Sequence, residues 1–215
     1  MATLKQYLYT VQVARIGLLT DPSEQEKRIA GEHVAYMKKL TEEGVGIFGG
    51  AVNGIRDSRH LGLFVFQAED DAAARIIVDD DPAVKARLMR VCLFPYRIAL
   101  WNAAALQLES GQQHYLYHIQ AIRPEQGSDG TAWEIETTMQ HFYYLKEQTE
   151  KGVFCIVGRT QTHDYSTFGM GVLRASSNDE AWEISANDPG VINPVMRLKV
   201  LPFGISIYRE DWEME

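Results

Sequence analysis

The chain is one segment written twice, and this constrains its fold more than any other feature. Tyr7-Leu8-Tyr9-Thr10-Val11-Gln12 returns as Tyr115-Leu116-Tyr117-His118-Ile119-Gln120, 108 positions later. Arg15 and Arg123, His33 and His141, Tyr36 and Tyr144, Gly44 and Gly152, and Gly50 and Gly158 keep that spacing. The offset then falls to 107, where Gly62 meets Gly169, Asp81-Pro82 meets Asp188-Pro189, and Met89-Arg90 meets Met196-Arg197. A single deletion between Gly158 and Gly169 accounts for the change. Matches that run in order through both halves imply duplication and fusion, so the unit to be folded is about half the chain. The predicted organisation is a first module over 1–101, a linker over 102–113 and a second module over 114–215.

Within one copy the periodicities are clear. Tyr7, Tyr9, Val11 and Val13 alternate, which predicts a half-buried strand over 6–14. Ser23 with Glu26 forms a capping box that opens a helix, and Ile29, His33, Tyr36, Met37 and Leu40 recur on one face of it. Gly44 is the expected stop. Residues 45–53 and 61–67 read as strands joined by the polar stretch from Asn53 to His60. A second helix is expected over 69–78, a short third one from Asp81-Pro82, and a last strand over 97–101. Thr131, Glu134, Thr137, His141, Tyr144, Leu145 and Gln148 repeat the helix pattern in the second copy. The order β-α-β-β-α-β is the ferredoxin-like one, with helices on one side of a sheet. The sheet's other face needs a cover, and the other copy's sheet is the natural one, giving a pseudo-symmetric sandwich or barrel.

Composition narrows the function classes. A net charge of −8 argues against a nucleic-acid or anionic-membrane surface. No apolar run approaches a membrane span, and the start lacks a charged region followed by an apolar core, so a cytoplasmic protein is expected. Cys92 and Cys155 sit in apolar stretches and read as small reduced core residues. No zinc spacing, nucleotide loop or GxSxG is present, so no cofactor is expected.

His33 and His141 are the most informative positions. Each falls on the apolar face of its helix, where an imidazole must satisfy a ring nitrogen. One reading is a core histidine bonded to a backbone carbonyl. The other is a proton-transfer group whose tautomer is held by a carboxylate. Asp81 and Asp188 are the carboxylates available, although helix capping alone explains an Asp before Pro. Tyr36 and Tyr144 share the histidine face and are candidates to donate an O–H to a substrate, with core packing as the alternative. Arg15 and Arg123 read as surface residues with a secondary claim on an anionic substrate. His60, His114, His118 and His163-Asp164 lack counterparts in the other copy.

The run His33-Val34-Ala35-Tyr36-Met37, Leu40, Gly44, the Gly50 turn and Asp81-Pro82 resembles the YCII-related family. It appears again in His141-Phe142-Tyr143-Tyr144-Leu145, Gly152, Gly158 and Asp188-Pro189. The resemblance implies a dimeric α+β barrel, here a pseudo-symmetric pair of tandem ferredoxin-like modules packed sheet to sheet. It implies a His-Asp dyad in a pocket, which places His33 with Asp81 and His141 with Asp188. One relative in the family is a dehydrochlorinase acting on a chlorinated hydroxyhydroquinone, and similar barrels host muconolactone isomerases and cofactor-free monooxygenases.

The function so implied is a cofactor-independent enzyme, an isomerase or lyase of dehydrochlorinase type. Its substrate would be a phenolic, quinoid or lactone small molecule. The chain would be a monomer with an internal pseudo-dimer, or a homodimer of it. Two other readings stand beside it. One is a non-catalytic binding or structural protein with the histidines in its core. The other is a haem or metal protein ligated by His33 or His141. The family turn is often Gly-Pro, whereas this chain has Gly50-Ala51 and Gly158-Arg159. Arg159, a further candidate for substrate binding, against Ala51 predicts two unlike pockets, one active and one degraded.

Overall fold

The computed structural model describes residues 4–15, 17–53 and 61–214. The joining stretch with His60 lies outside them. The first copy runs β1 (Lys5–Val13), α1 (Gly17–Thr20), α2 (Glu24–Glu42), β2 (Gly46–Val52), β3 (Leu61–Ala68), α3 (Asp71–Asp79), α4 (Pro82–Lys85) and β4 (Met89–Trp101). The second runs β5 (Gln113–Ala121), α5 (Ala132–Glu150), β6 (Phe154–Thr160), β7 (Gly169–Ala175), α6 (Asn178–Ala186), α7 (Pro189–Ile192) and β8 (Met196–Tyr208). It is a mixed α+β fold with antiparallel pairing of β1 to β3 and β4, and of β5 to β7 and β8.

The chain divides into two compact units, 1–96 with 204–212, and 97–203 with 213–215. The boundary crosses both long strands. Residues 89–96 of β4 pair with β1, while its last residues belong to the second unit. Residues 196–203 of β8 pair with β5, while its end belongs to the first unit. At 13 residues each, these strands are twice the usual length and outrun their own sheets. In the first unit the strand order is β4-β1-β3-β2-β8, and in the second it is β8-β5-β7-β6-β4.

Local chemistry explains why the helices sit where they do. Ser23 and Glu26 form a complete capping box at α2, as do Thr131 and Glu134 at α5. Arg15 donates to Glu26 at 2.8 and 2.5 Å, and Arg123 to Glu134 at 2.9 and 2.6 Å. The repeated arginines therefore fasten each strand β1 or β5 to the helix start that follows, and are spent there. Gly44 and Gly152 end the two long helices at φ +76° and +74°, where a side chain would be strained.

Each unit has its own core beneath its helices. Tyr7, Tyr9, Phe64, Phe66, Met37 and Leu40 form one, and Tyr115, Tyr117, Phe154, Leu173 and Leu145 the other. The two cores exchange an aromatic for a glycine. Gly46 and Phe64 of the first copy are replaced at the same positions by Phe154 and Gly171. A Cβ on Gly46 would meet the Phe64 ring at 2.6 Å, and one on Gly171 would meet the Phe154 ring at 3.1 Å. Each unit thus keeps one ring in this layer, supplied from opposite strands of the same hairpin.

Two expectations need correction. The last strand of each copy begins at Met89 or Met196, well before residue 97. Pro95 pairs opposite Tyr7 without interrupting the strand. Cys92 is exposed, unlike the buried Cys155. Strand alternation puts Cys92 on the face opposite Val91 and Leu93, the two residues that pack on the core. Both thiols are free. The 102–113 segment is partly ordered, with a 3₁₀ turn over Ala103–Leu106 capped by Asn102.

Candidate functional site

Asp81 is where the first unit concentrates its buried polar chemistry. As N-cap of α4 it accepts the Ala83 N–H on Oδ1 at 2.8 Å. Its other oxygen, Oδ2, lies 2.6 Å from His33 Nδ1 and accepts the Tyr9 O–H at 2.6 Å. The carboxylate is fully buried and the His33 side chain is 14% exposed. Capping and histidine-holding are therefore done by one residue, with one oxygen for each task.

The second unit repeats the arrangement. Asp188 takes the Gly190 N–H at 2.7 Å, the Tyr117 O–H at 2.8 Å and faces His141 Nδ1 at 2.7 Å. His141 is likewise 14% exposed and Asp188 fully buried.

The electrostatics follow from these contacts. Burial pushes the Asp81 carboxyl upward. The His33 hydrogen bond and charge, with the bonds from Tyr9 and Ala83, outweigh burial and hold it below the ordinary carboxylate range. Burial and the neighbouring carboxylate push the Tyr9 and Tyr117 hydroxyls far above the usual phenol value, so each remains an O–H donor. An ionised Asp81 accepts only, so in the neutral imidazole the proton sits on Nδ1 and Nε2 is left as a lone pair. Neither Nε2 has a protein partner among the described residues.

His33 borders a cavity of about 190 Å³ in the first unit. Val11, Val34, Met37, Leu63, Phe64 and Ile207 supply apolar wall, and Gly49, Gly50 and Ala51 let the ligand space approach β2. The polar groups bordering it are Tyr9, Gln12, His33 and Ser206, and no Asp, Glu, Lys or Arg is among its described lining. The cavity suits a small, mostly apolar molecule with one polar end toward the imidazole.

The remaining candidates fall elsewhere. The Tyr36 hydroxyl donates to the Ile77 carbonyl at 2.8 Å, and Tyr144 to Ile184 at 2.5 Å. These bonds tie α2 to α3 and α5 to α6, and they occupy the O–H that a substrate would need. Arg159 is exposed on β6 opposite Gly169, as Ala51 on β2 is opposite Gly62. His114 is buried, His118 stacks on Phe168 at 5.0 Å, and Asp164 is bonded to Ser166. None of these three belongs to the His–Asp sites. Tyr9 and Tyr117 are the participants the sequence did not single out. The available signal was an identical tyrosine on the buried face of both first strands, where a hydroxyl needs a partner.

A family model for the YCII-related domain matches residues 7–97 and again residues 118–203. No curated relative matches the chain. Among solved structures, a candidate monooxygenase from Fusobacterium nucleatum has a TM-score of 0.56 at 12% identity, over 95% of this chain and 93% of that one. A heme-binding protein from Thermus thermophilus has a TM-score of 0.56 at 14% identity, over 94% and 92%. A chlorite dismutase variant from Candidatus Nitrospira defluvii has a TM-score of 0.56 at 13% identity, over 96% and 92%. At these identities the likeness is one of fold. No helix among the described residues is long and apolar enough to cross a membrane.

Proposed function

The chain belongs to the YCII-related domain family twice over, and from that premise we propose that it is a small-molecule enzyme working by proton transfer at a His–Asp pair. The observation that carries this reading is the placement of His33. Its Nδ1 is held by a buried carboxylate while the ring borders an apolar cavity. A core histidine would bury both nitrogens against protein. Here Nε2 is left as the base.

The reaction class follows from what the residues can do. His33 Nε2 accepts a proton from a carbon beside a carbonyl, or from a phenol O–H, and becomes an imidazolium stabilised by Asp81. Returning that proton to a different atom of the substrate is an isomerisation. Loss of a leaving group from the substrate anion is an elimination, of which dehydrochlorination is one case. Both fit a neutral phenolic, quinoid or lactone ring in the apolar cavity. Tyr9 and the Ala83 N–H keep Asp81 ionised and fixed, so they are positioning groups. The strand order β4-β1-β3-β2, repeated as β8-β5-β7-β6, supports reading each copy as a ferredoxin-like module.

One neighbour in fold is a heme-binding protein, but the residues here do not fit that group. The 190 Å³ cavity at His33 has room for one small ring, as an apolar cavity of about 150 Å³ holds benzene. A macrocycle would displace the wall. Among the described residues no cluster of three or more His, Cys, Asp or Glu is placed to hold a metal ion.

The test is deuterium exchange into a panel of small neutral enones, lactones and phenols, followed by NMR in D₂O. The wild-type chain should accelerate exchange for at least one ring class, and His33→Gln with His141→Gln together should lose at least about a hundredfold of that rate. Full exchange in the double variant would overturn the reading.

A further inference from the structure

The second copy keeps its proton-transfer group and changes its walls. His141, Asp188 and Tyr117 stand at 2.7 and 2.8 Å, against 2.6 and 2.6 Å in the first copy, and the two histidines are equally exposed. The second copy keeps all three hydrogen bonds to its buried carboxylate, whose burial is costly unless each bond to it persists.

The wall differs at several positions, among them Gly49, which becomes Val157, and two changes bear on a ligand's charge and ring contacts. Ala51, which lines the first cavity, is replaced in register by Arg159. The register fixes direction, because both residues lie opposite a glycine and alternate with the same strand neighbours. Arg159 therefore leaves the sheet on the side of His141. It is exposed, and among the described residues no carboxylate pairs with it. Phe64, the aromatic wall of the first cavity, is replaced by Gly171. The ring of that layer comes instead from Phe154, set edge-on to Tyr117 with centroids 5.4 Å apart. The second copy thus takes the ring of this layer from the neighbouring strand and adds a guanidinium that no carboxylate among the described residues pairs with.

We infer that the two copies have diverged in substrate charge: the His33 site takes a neutral apolar ring, and the His141 site takes a small carboxylate, with Arg159 as its specificity residue. The inference rests on the proton-transfer reading for why both imidazoles persist. Its binding pattern stands or falls separately. Arg159 offers a planar fork of N–H donors that matches a carboxylate in two-point contact. Among the described residues the first cavity offers a carboxylate no Lys or Arg, and it takes the uncharged isostere.

The experiment uses the full chain with benzoate and benzamide, which share a shape and differ in charge. Imidazole NMR signals are assigned with His33→Gln and His141→Gln, and each probe is titrated in. Benzoate should shift His141 and leave His33 still, while benzamide should shift His33. Arg159→Ala should weaken benzoate at His141 at least tenfold, Arg159→Lys should restore part of it, and Ala51→Arg should make His33 respond to benzoate. Equal responses of His141 to both probes would overturn the inference. So would an unchanged benzoate affinity in Arg159→Ala, or no benzoate response at His141 up to tens of millimolar. If this binding pattern appears but no proton exchange is found, the specificity stands and the catalytic reading falls.

Discussion

Tyr9→Phe is the sharpest perturbation of the site, because it removes one hydroxyl and leaves the packing in place. The Tyr9 ring is 1% exposed and sits in the first core. Phe keeps that ring, so no cavity term enters. What is lost is the O–H bond to Asp81 Oδ2 at 2.6 Å, which leaves the carboxylate with two of its three donors. A hydrogen bond to a charged group is worth about 1.5–3 kcal/mol. For a chain of this size that converts to a fall in Tm of roughly 3–12 °C.

The pH dependence adds a second readout. Asp81 is held below its ordinary pKa, so its contribution is present above the unfolded carboxyl value of about 4 and is lost as pH falls through the folded one. The deficit of Tyr9→Phe should therefore be full at pH 7 and shrink below about pH 4. Calorimetry of wild type and variant at pH 7 and at pH 3 measures both quantities. An unchanged Tm at pH 7, or a deficit constant across that range, would refute the assignment of Tyr9 to an ionised Asp81. Tyr117→Phe should repeat the behaviour in the second copy.

Three further outcomes are expected. Phe64→Gly and Gly46→Phe should each destabilise the first unit by a few kcal/mol. The double variant, which copies the Phe154–Gly171 arrangement, should recover at least about 1 kcal/mol over additivity in a denaturant cycle; strict additivity would contradict the aromatic exchange. Glu26 and Glu134 are pulled down to about 2, chiefly by their arginine hydrogen bonds. Glu26→Gln with Glu134→Gln should flatten the loss of stability as pH falls from about 4.5 toward about 2, read by pH-dependent unfolding. Gly44 has φ +76°, so Gly44→Ala should cost about 1–2 kcal/mol in urea unfolding, whereas Gly31→Ala within α2, with open space around its Cβ, should be neutral or stabilising.

Much of this molecule is legible because the duplication tests each reading twice. The capping boxes, the Asp-Pro helix starts and the Gly44 and Gly152 stops are local chemistry, and local chemistry is readable along a line of sequence. His33 and His141 are visible as polar residues on an apolar helix face. Tyr9 is visible only as a strand residue, since its partner Asp81 lies 72 positions away. Tyr36 misleads for the same reason, because its hydroxyl partner is a backbone carbonyl on another helix. The early part of β4 is hidden by Pro95, whose missing N–H this strand tolerates. The Phe–Gly exchange cannot be read from either copy alone. It needs the hairpin register to show that two strands share one ring.

The central claim is that a buried carboxylate holds each imidazole through Nδ1 and leaves Nε2 free to take a proton. Nitrogen-15 NMR of the imidazoles measures this directly. The neutral His33 and His141 rings should both show a protonated Nδ1 and a bare Nε2, and His33 should lose that pattern in Asp81→Asn. A neutral ring protonated at Nε2 in the wild-type chain would contradict the account.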